Sequence, residues 1–305
     1  MAQVIYTKYN KLRRKEFRVQ TSIYEENGRR FVVKRAVCPE SEPHVDRMLD
    51  RKLRLKAIYR DMDFVDAEKT EDGVRFEYLA GESVDGVLAC NPGEERDLKQ
   101  TFGAILHRVL PDEEVCEPFK MTPEFKTVFG DVKGLEGRAA APLANIDCIL
   151  ENIIMNGEYL TCLDYEWVFD FPVPIDFMRY RVVHYFYKAH PEVERIVSER
   201  EMLDSFSLSE FECALFEAME SAFQHYVFGG EQDCRYTENY RQPVTTYDQM
   251  IAEKQRNLHE IDELRKVVGH YEGVERKLRK IGLWQALQGA QKVGRKVKGV
   301  IAGER

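Results

Sequence analysis

The stretch that begins at Leu143 constrains the fold more than any other part of this sequence. Asp147 and Asn152 stand there in a D-x-x-x-x-N spacing, with apolar residues on both sides of the asparagine. The Asn156-Gly157 pair then predicts a turn, and the apolar run after it predicts a short return strand that ends at Asp164. We therefore expect Asn152 and Asp164 to lie on one hairpin, with Asp147 just before it.

These residue types, in this order, are the ones that phosphoryl transfer requires. The D-x-x-x-x-N spacing alone is common by chance, and the turn, strand and second carboxylate make it informative. Asp147 is the predicted catalytic residue, which orients and deprotonates an attacking hydroxyl. Asn152 and Asp164 are the predicted metal ligands, because amide and carboxylate oxygens bind Mg²⁺. Glu166, two residues after Asp164, is a candidate helper at the same metal.

The same order resembles that of small-molecule kinases with the protein-kinase-like fold, such as aminoglycoside and choline phosphotransferases. The likeness is closest to the kinase domain of bacterial enzymes that terminate O-polysaccharide chains, because Asn145-Ile146-Asp147 stands where aminoglycoside enzymes have His-Gly-Asp. It covers roughly residues 5–230, judged by the order of elements. The resemblance implies an α+β, bilobal fold, with a β-rich N-lobe over residues 1–80 and a mainly helical C-lobe over residues 81–240. It also implies ATP and Mg²⁺ as cofactors.

A lysine on a predicted strand is the second anchor of this resemblance. Residues 17–24 and 30–37 read as two strands on either side of an Asn27-Gly28 turn, and Lys34 lies among β-branched and aromatic neighbours. A lone lysine in such a strand usually faces solvent. Given the motif downstream, the resemblance implies that Lys34 binds the α- and β-phosphates of ATP.

The segment before this hairpin departs from the family pattern. Residues 9–16 stand where a kinase has its glycine-rich loop, and they contain no glycine. They carry four basic side chains instead: Lys11, Arg13, Arg14 and Lys15. Either these side chains bind phosphates in place of backbone amides, or the segment is an ordinary solvated loop.

Two more nucleotide-binding features are implied by the resemblance. Lys34 needs an acidic partner near the helix predicted over residues 44–59, and Glu40 is favoured. The other candidates are Glu42, Asp46 and Asp50.

The hinge between the lobes is expected at residues 76–81. Backbone groups at Glu77 and Leu79 would bind adenine there, and Gly81 would release the chain into the second lobe. The alternative is a plain strand that ends at a glycine.

Helices are predicted beyond the hinge. Residues 96–110 have helical apolar spacing, and residues 176–189 are rich in aromatic side chains. A further helix is expected to start at Ser207, where Glu210 completes a capping box. Its predicted core face contains Phe211, Leu215, Met219, Phe223 and Tyr226.

Charge and cysteine usage narrow the cellular setting. The formal net charge of −8 argues against a general nucleic-acid binder. Seven cysteines occur without a C-x-x-C pair, so a zinc site and a disulfide framework are both disfavoured. Together with an N-terminus that lacks the apolar core of a signal peptide, this favours a reducing cytoplasm.

The C-terminal part differs in character. Residues 245–281 read as a charged helix with partly heptad-like spacing, which favours a coiled coil and a homo-oligomer. Residues 282–305 combine an apolar face with Lys292, Arg295 and Lys296. This pattern is typical of a helix on an anionic membrane surface, and a peripheral position at the inner face of the cell membrane follows. Packing on a partner or on the protein's own acidic body is the alternative.

Three functions fit these features. The favoured one is an ATP-dependent kinase that phosphorylates a carbohydrate hydroxyl, on a lipid-linked surface polysaccharide. The second is a kinase-shaped adaptor without catalysis in a glycan-synthesis complex, which the missing glycine loop favours. The third is a soluble small-metabolite kinase, which leaves the basic tail without a role.

Overall fold

A computed structural model describes residues 2–71 and 73–229, and in addition residues 261, 264–266 and 268. The chain divides into two compact units, Met1–Pro243 and Val244–Arg305. Nearly all of the described residues belong to the first unit, which contains every predicted site residue.

The second unit is described at five positions only. These residues are helical, and Ile261, Leu264 and Val268 among them are exposed. The rest of the predicted coiled coil and the whole basic tail lie outside the described residues. Across the described ranges, no helix combines the length and apolarity needed to cross a membrane.

The elements of the first unit are numbered along the chain. The strands are β1 Gln3–Tyr9, β2 Val19–Glu26, β3 Arg29–Ala36, β4 Asp63–Phe64, β5 Ala67–Thr70, β6 Gly73–Glu77, β7 Glu82–Ser83, β8 Glu117–Pro118, β9 Ala139–Ala141, β10 Ala144–Asn145, β11 Ile153–Asn156, β12 Tyr159–Cys162, β13 Val168–Phe169 and β14 Val173–Pro174. The helices are α1 Glu42–Asp46, α2 Arg51–Lys56, α3 Val84–Cys90, α4 Glu95–Val109, α5 Pro123–Phe129, α6 Ile175–Ala189, α7 Glu199–Ser205 and α8 Glu210–Phe228.

The N-terminal part is an antiparallel sheet in the order β1-β2-β3-β6-β5. Asn27 and Gly28 form the predicted tight turn between β2 and β3, with φ of 51° and 74°. Both central residues of such a turn need positive φ, which Asn and Gly adopt at little cost. β1 has no counterpart among the predicted elements, because its side chains are exposed or half-buried and do not alternate.

A second sheet is built around the predicted hairpin of β11 and β12, in the order β4-β12-β11-β7. Asn156 pairs with Tyr159, so the turn lies at residues 157–158, one position later than the predicted Asn-Gly pair. β4 directly precedes β5 in the chain and β7 directly follows β6. The hairpin is therefore flanked by the two strands that connect it to the N-terminal sheet.

Gly81 lies where the chain leaves β6 for β7. Its φ is +159°, and a Cβ atom there would be only 2.5 Å from Cγ2 of Ile154. Because Ser83 of β7 pairs with Ile154 of β11, the chain after residues 78–80 packs directly on the hairpin. The predicted hinge glycine is thus required for this close approach.

Some predicted helices differ from the observed ones. The predicted helix over residues 44–59 is wrong as a single element, because α1 ends at Asp46 and α2 begins at Arg51. α4 and α6 match their predictions within one residue. α8 begins two residues later than predicted: Ser209 is its cap, with Glu212 completing the capping box.

The core of the first unit is continuous. Nearly all of the buried apolar side chains in the described part of this unit form one cluster, with members from Val19 in β2 to Phe216 in α8. Of the predicted core face of α8, Met219 and Phe223 are buried, whereas Phe211 is 67% exposed. The mixed α+β architecture, with a β-rich N-terminal part and a mainly helical remainder, agrees with the predicted fold class.

Candidate active site

The β11–β12 hairpin brings the two predicted metal ligands together. Just beyond its paired residues, the amide of Leu163 donates to the carbonyl of Asn152 at 2.8 Å. Asn152 and Asp164 therefore leave the hairpin side by side. Ile153 and Cys162, which pair at the base of the hairpin, are fully buried and anchor it in the core.

Lys34 reaches Asp164 from the N-terminal sheet. Its Nζ lies 2.6 Å and 2.7 Å from the two carboxylate oxygens of Asp164, and 3.5 Å from Oε2 of Glu166. Burial of the side chain favours loss of its proton, but the two carboxylates outweigh burial and raise the pKa of Lys34. The predicted lysine and the predicted metal carboxylate therefore form one ion pair, in which the lysine is buried and the carboxylate is 30% exposed.

Asp147 is held in place by two hydrogen bonds, one to its carboxylate and one from its own backbone amide. The amide of Trp167 donates to Oδ2 of Asp147 at 2.9 Å, and the amide of Asp147 itself donates to Oδ1 of Asn145 at 3.1 Å. Burial, and then the nearby carboxylates of Asp164 and Glu166, raise the pKa of Asp147 to about 7. A carboxylate with such a pKa can both accept and release a proton at neutral pH.

Asn145 braces the segment that carries Asp147. It is fully buried, and its Nδ2 donates to the backbone carbonyl of Asp164 at 3.0 Å. Its own amide donates to the hydroxyl of Tyr59 at 3.1 Å. A single side chain thus connects the predicted catalytic residue with the predicted metal carboxylate, which is a physical reason for an asparagine at this position.

Asn152 is oriented by the same segment. Its Nδ2 donates to the backbone carbonyl of Asp147 at 3.0 Å, which leaves the amide oxygen as its acceptor group. Asn152 and Asp164 together offer hard oxygen ligands, as Mg²⁺ prefers. Among the described residues, no cluster of three or more His, Cys, Asp and Glu side chains could hold a metal. Because Mg²⁺ prefers near-octahedral coordination, two protein ligands would leave its other positions to phosphate and water.

Glu166 is the most enclosed acid of the site, with a side chain only 6% exposed. Its Oε1 contacts a guanidinium nitrogen of Arg13, and also Nε2 of His44 at 3.0 Å. Its Oε2 faces Lys34. Burial disfavours the charge of Glu166, but Arg13 and Lys34 outweigh burial and hold its pKa well below the usual range. Both of its oxygens therefore contact side chains of the protein. A helper at the metal, as predicted, would instead direct a carboxylate oxygen at the ion.

The predicted pairing of Lys34 with Glu40 is wrong. Glu40 is exposed and forms an ion pair with Lys15 at 3.7 Å. It lies in a short 3-10 helix, Pro39–Ser41, which precedes α1 and keeps this side chain at the surface. Asp164 and Glu166 pair with Lys34 instead.

The basic segment between β1 and β2 is divided between interior and surface. Arg13 is 8% exposed and enters the site to reach Glu166. Arg14 remains outside, where it contacts Glu16, and its backbone amide donates to the carbonyl of Val227 at the end of α8. One arginine of the segment therefore contributes a charge to the site, while the backbone beside it fastens the segment to α8.

Lys8 is a further basic residue beside the site, on the same sheet as Lys34. It pairs across the sheet with Thr21, which in turn pairs with Lys34, so Lys8 and Lys34 lie in one row on the same sheet face. Burial, and then the positive charge of Arg13, lower the pKa of Lys8 to about 8, against the opposing effect of the site's carboxylates.

A buried ion pair between Arg181 and Glu220 supports the backbone that precedes Asp147. Nε of Arg181 donates to the carbonyl of Ile146 at 3.2 Å, and the same guanidinium pairs with Glu220 of α8. The hydroxyl of Tyr185 also donates to Glu220, at 2.7 Å. This pair ties α6 and α8 to the backbone immediately before Asp147.

The predicted adenine-binding segment borders the row of Lys34. Glu77 pairs with Phe31, which lies three residues before Lys34 in β3. The side chain of Glu77 therefore lies on the sheet face opposite to that of Lys34. Its amide donates to the carbonyl of Asp66 at 3.2 Å. Leu79 is half-buried and packs against the core. Adenine binding by this backbone stays a prediction.

Comparison with known proteins adds distant structural likenesses. No protein-family model matches the chain, and no curated protein matches its sequence significantly. A macrolide 2'-phosphotransferase type I is 10% identical, with 78% of this chain and 92% of that one covered and a TM-score of 0.38. A microcompartment-associated aminopropanol kinase is 13% identical, with 79% and 89% covered and a TM-score of 0.40. A spectinomycin phosphotransferase, in complex with ADP and spectinomycin, is 9% identical, with 80% and 90% covered and a TM-score of 0.41.

These likenesses are too weak to establish the function of this chain. The site itself carries more information, because it brings together Lys34, Asp147, Asn152 and Asp164 from two sheets and a connecting segment.

Proposed function

We propose that this chain is an ATP- and magnesium-dependent phosphotransferase that phosphorylates a hydroxyl group. The observation that carries this proposal is the contact between Lys34 and Asp164 at 2.6 Å, with Asp147 and Asn152 at the same site. A lysine for phosphates, an Asn–Asp pair for metal and a separate carboxylate are the parts that phosphoryl transfer by this route needs.

The nucleotide is bound by the N-terminal sheet in this proposal. Lys34 contacts the α- and β-phosphates, and Lys8, in the same row, lies towards the end of the phosphate chain. Backbone groups at Glu77 and Leu79 bind adenine. The glycine-free segment around Arg13 supplies side-chain charge to the site, where a glycine-rich loop would supply backbone amides.

Asn152 and Asp164 fit a magnesium ion. When bound, Mg²⁺ neutralises charge on the phosphates and helps to orient the transferred group. Lys34 occupies both oxygens of Asp164, so Nζ has to move from at least one of them towards phosphate when that carboxylate serves as a metal ligand.

Asp147 is the acceptor-side residue. It orients the attacking hydroxyl and takes its proton as the new bond to phosphorus forms and the bond to the leaving ADP oxygen breaks. Its pKa of about 7 keeps a substantial fraction ionised at neutral pH.

The acceptor that we propose is a carbohydrate hydroxyl on a lipid-linked surface polysaccharide. The support is the sequence Asn145-Ile146-Asp147, which resembles that of chain-terminating kinases, and the basic, amphipathic sequence 282–305. A protein held at a membrane meets a lipid-linked acceptor at a raised effective concentration.

The test has two stages. ATP binding is first measured by titration calorimetry with and without Mg²⁺. Binding that Mg²⁺ strengthens supports an enzyme, and no binding under either condition identifies the adaptor. Labelled ATP is then offered with lipid-linked glycans, free sugars and small amino alcohols, with Asp147→Asn as the inactive control. Transfer to glycans supports the proposed acceptor, and transfer only to small alcohols identifies a small-metabolite kinase.

A further inference from the structure

We propose that Glu166 is the positioning residue of Lys34, in the role that the resemblance to kinases assigns to an acid near α1. This inference rests on the proposed function, since it concerns how Lys34 is presented to the phosphates. Its observation is separate: Glu166 is a buried carboxylate to which three basic side chains, Arg13, Lys34 and His44, converge.

The acids near α1 are directed elsewhere. Glu40 and Asp46 are exposed and pair with Lys15 and Lys69. The remaining two candidates, Glu42 and Asp50, are exposed as well. α1 instead turns His44 inward, and its ring nitrogen meets Oε1 of Glu166 at 3.0 Å. The helix therefore contributes a partner for the acid, not the acid itself.

Burial of the Glu166 carboxylate makes its contacts with the basic side chains necessary. A carboxylate that is only 6% exposed is costly unless its oxygens are hydrogen-bonded and its charge is compensated. Arg13 and His44 satisfy Oε1, which leaves Oε2 directed at Nζ of Lys34. The position of Glu166 is thus fixed from two sides, independently of Lys34.

The two acids around Lys34 differ in what they can do when a ligand binds. Asp164 is 30% exposed and is the proposed metal ligand. Glu166, enclosed by side chains, stays beside Nζ when Asp164 turns to a metal. Glu166 therefore keeps Lys34 aimed into the site while Lys34 exchanges Asp164 for phosphate. Glu166 follows Asp164 by only two positions, so the lysine is aligned with the segment that would hold the metal.

A double-mutant cycle on ATP affinity tests this role. Dissociation constants for Mg-ATP are measured by displacement of a fluorescent nucleotide, at concentrations that reach millimolar values. The variants are Glu166→Gln, Lys34→Met and the double change. Glu25→Gln is the matched control, since Glu25 is an exposed, ion-paired acid of the same sheet. Circular dichroism verifies that each variant is folded, and Glu166→Asp, which keeps the charge but draws the carboxylate back from Lys34, replaces Glu166→Gln if the latter is not.

We expect Glu166→Gln to weaken Mg-ATP binding about tenfold or more, and Glu25→Gln to change it less than about twofold. In the Lys34→Met background, Glu166→Gln should change the affinity by less than about threefold, because its effect acts through Lys34. Equal losses in both backgrounds would mean that Glu166 only supports the fold, and would overturn this role. A wild-type chain that binds no Mg-ATP would overturn the proposed function and this inference together.

Discussion

Lys8 offers a sharp test of the electrostatics, because its charge is expected to oppose folding. Burial and Arg13 lower its pKa from the ordinary 10.5 to about 8. A shift of about 2.5 pH units corresponds to at most about 3.5 kcal/mol, at about 1.4 kcal/mol per pH unit. Lys8 is only half-buried, so solvent screening reduces the effect to about 1 kcal/mol. Replacing it by methionine should therefore stabilise the protein.

The pH dependence follows from the direction of the shift. Below about pH 8 the lysine is charged in the folded and the unfolded chain, so the full cost is present. Between about pH 8 and 10.5 the folded chain loses the proton first, and the cost disappears. We expect Lys8→Met to raise the melting temperature by about 2–4 °C at pH 7, and by much less at pH 10.

Thermal unfolding followed by circular dichroism at both pH values measures this. Lys8→Gln separates the loss of charge from the added apolar surface of methionine, and Lys11→Met, at an exposed position of the neighbouring segment, is the matched control. A lower melting temperature for both Lys8 variants at pH 7, or a gain that does not depend on pH, would refute the reasoning. The same variants should bind Mg-ATP more weakly if Lys8 lies near the phosphates.

Three further predictions concern the site, its support and the tail. Asp147→Asn should lower turnover by about 10²–10⁴-fold, measured by steady-state kinetics, and leave ATP affinity within about twofold. Turnover close to that of the wild type would contradict the role of Asp147 as the catalytic residue. Glu220→Ala should cost about 3–5 kcal/mol in urea unfolding, because it leaves Arg181 buried without its carboxylate. The double change Arg181→Met with Glu220→Leu should cost less, and a larger loss would contradict this account. Removal of residues 281–305 should release the protein from anionic vesicles at low salt, and a full-length chain that ignores such vesicles would show that the tail serves another purpose.

Local chemistry made much of the site predictable. The Asn27-Gly28 turn and the β11–β12 hairpin depend on residues adjacent in sequence, so their signals survive in any context. The sequence therefore predicts that Lys34 and Asp164, which lie 130 residues apart, belong to one site, although it does not predict that they form an ion pair.

The partner of Lys34 could not be predicted in the same way. Which acid turns inward depends on the ends of α1 and on the path of the β1–β2 segment, and neither has a local signal. The inward turn of His44 and Arg13 is visible only in the packed structure, because an isolated Arg usually lies at the surface and an isolated His carries no clear signal of burial.

The start of α8 shows how a local signal can be ambiguous. Ser207 with Glu210, and Ser209 with Glu212, are two overlapping capping boxes, and sequence alone does not choose between them. In the structure Ser207 has a φ of +60°, Leu208 is buried and the helix starts after Ser209. Packing of Leu208 therefore selects the second box.

The placement of β4 and β7 on either side of the β11–β12 hairpin limits how the N-terminal sheet can move. The β5–β6 hairpin is fastened at both ends, through residues 65–66 on one side and residues 78–81 on the other. These two attachment points define an axis about which the N-terminal sheet can rotate. Rotation about that axis stretches neither attachment, whereas sliding along the hairpin would break the pairing of β4 with β12 or of β7 with β11. Rotation about this axis therefore leaves unchanged the depth at which Lys34 meets the hairpin, but it has to break the hydrogen bond by which the amide of Arg14 fastens the β1–β2 segment to Val227 of α8.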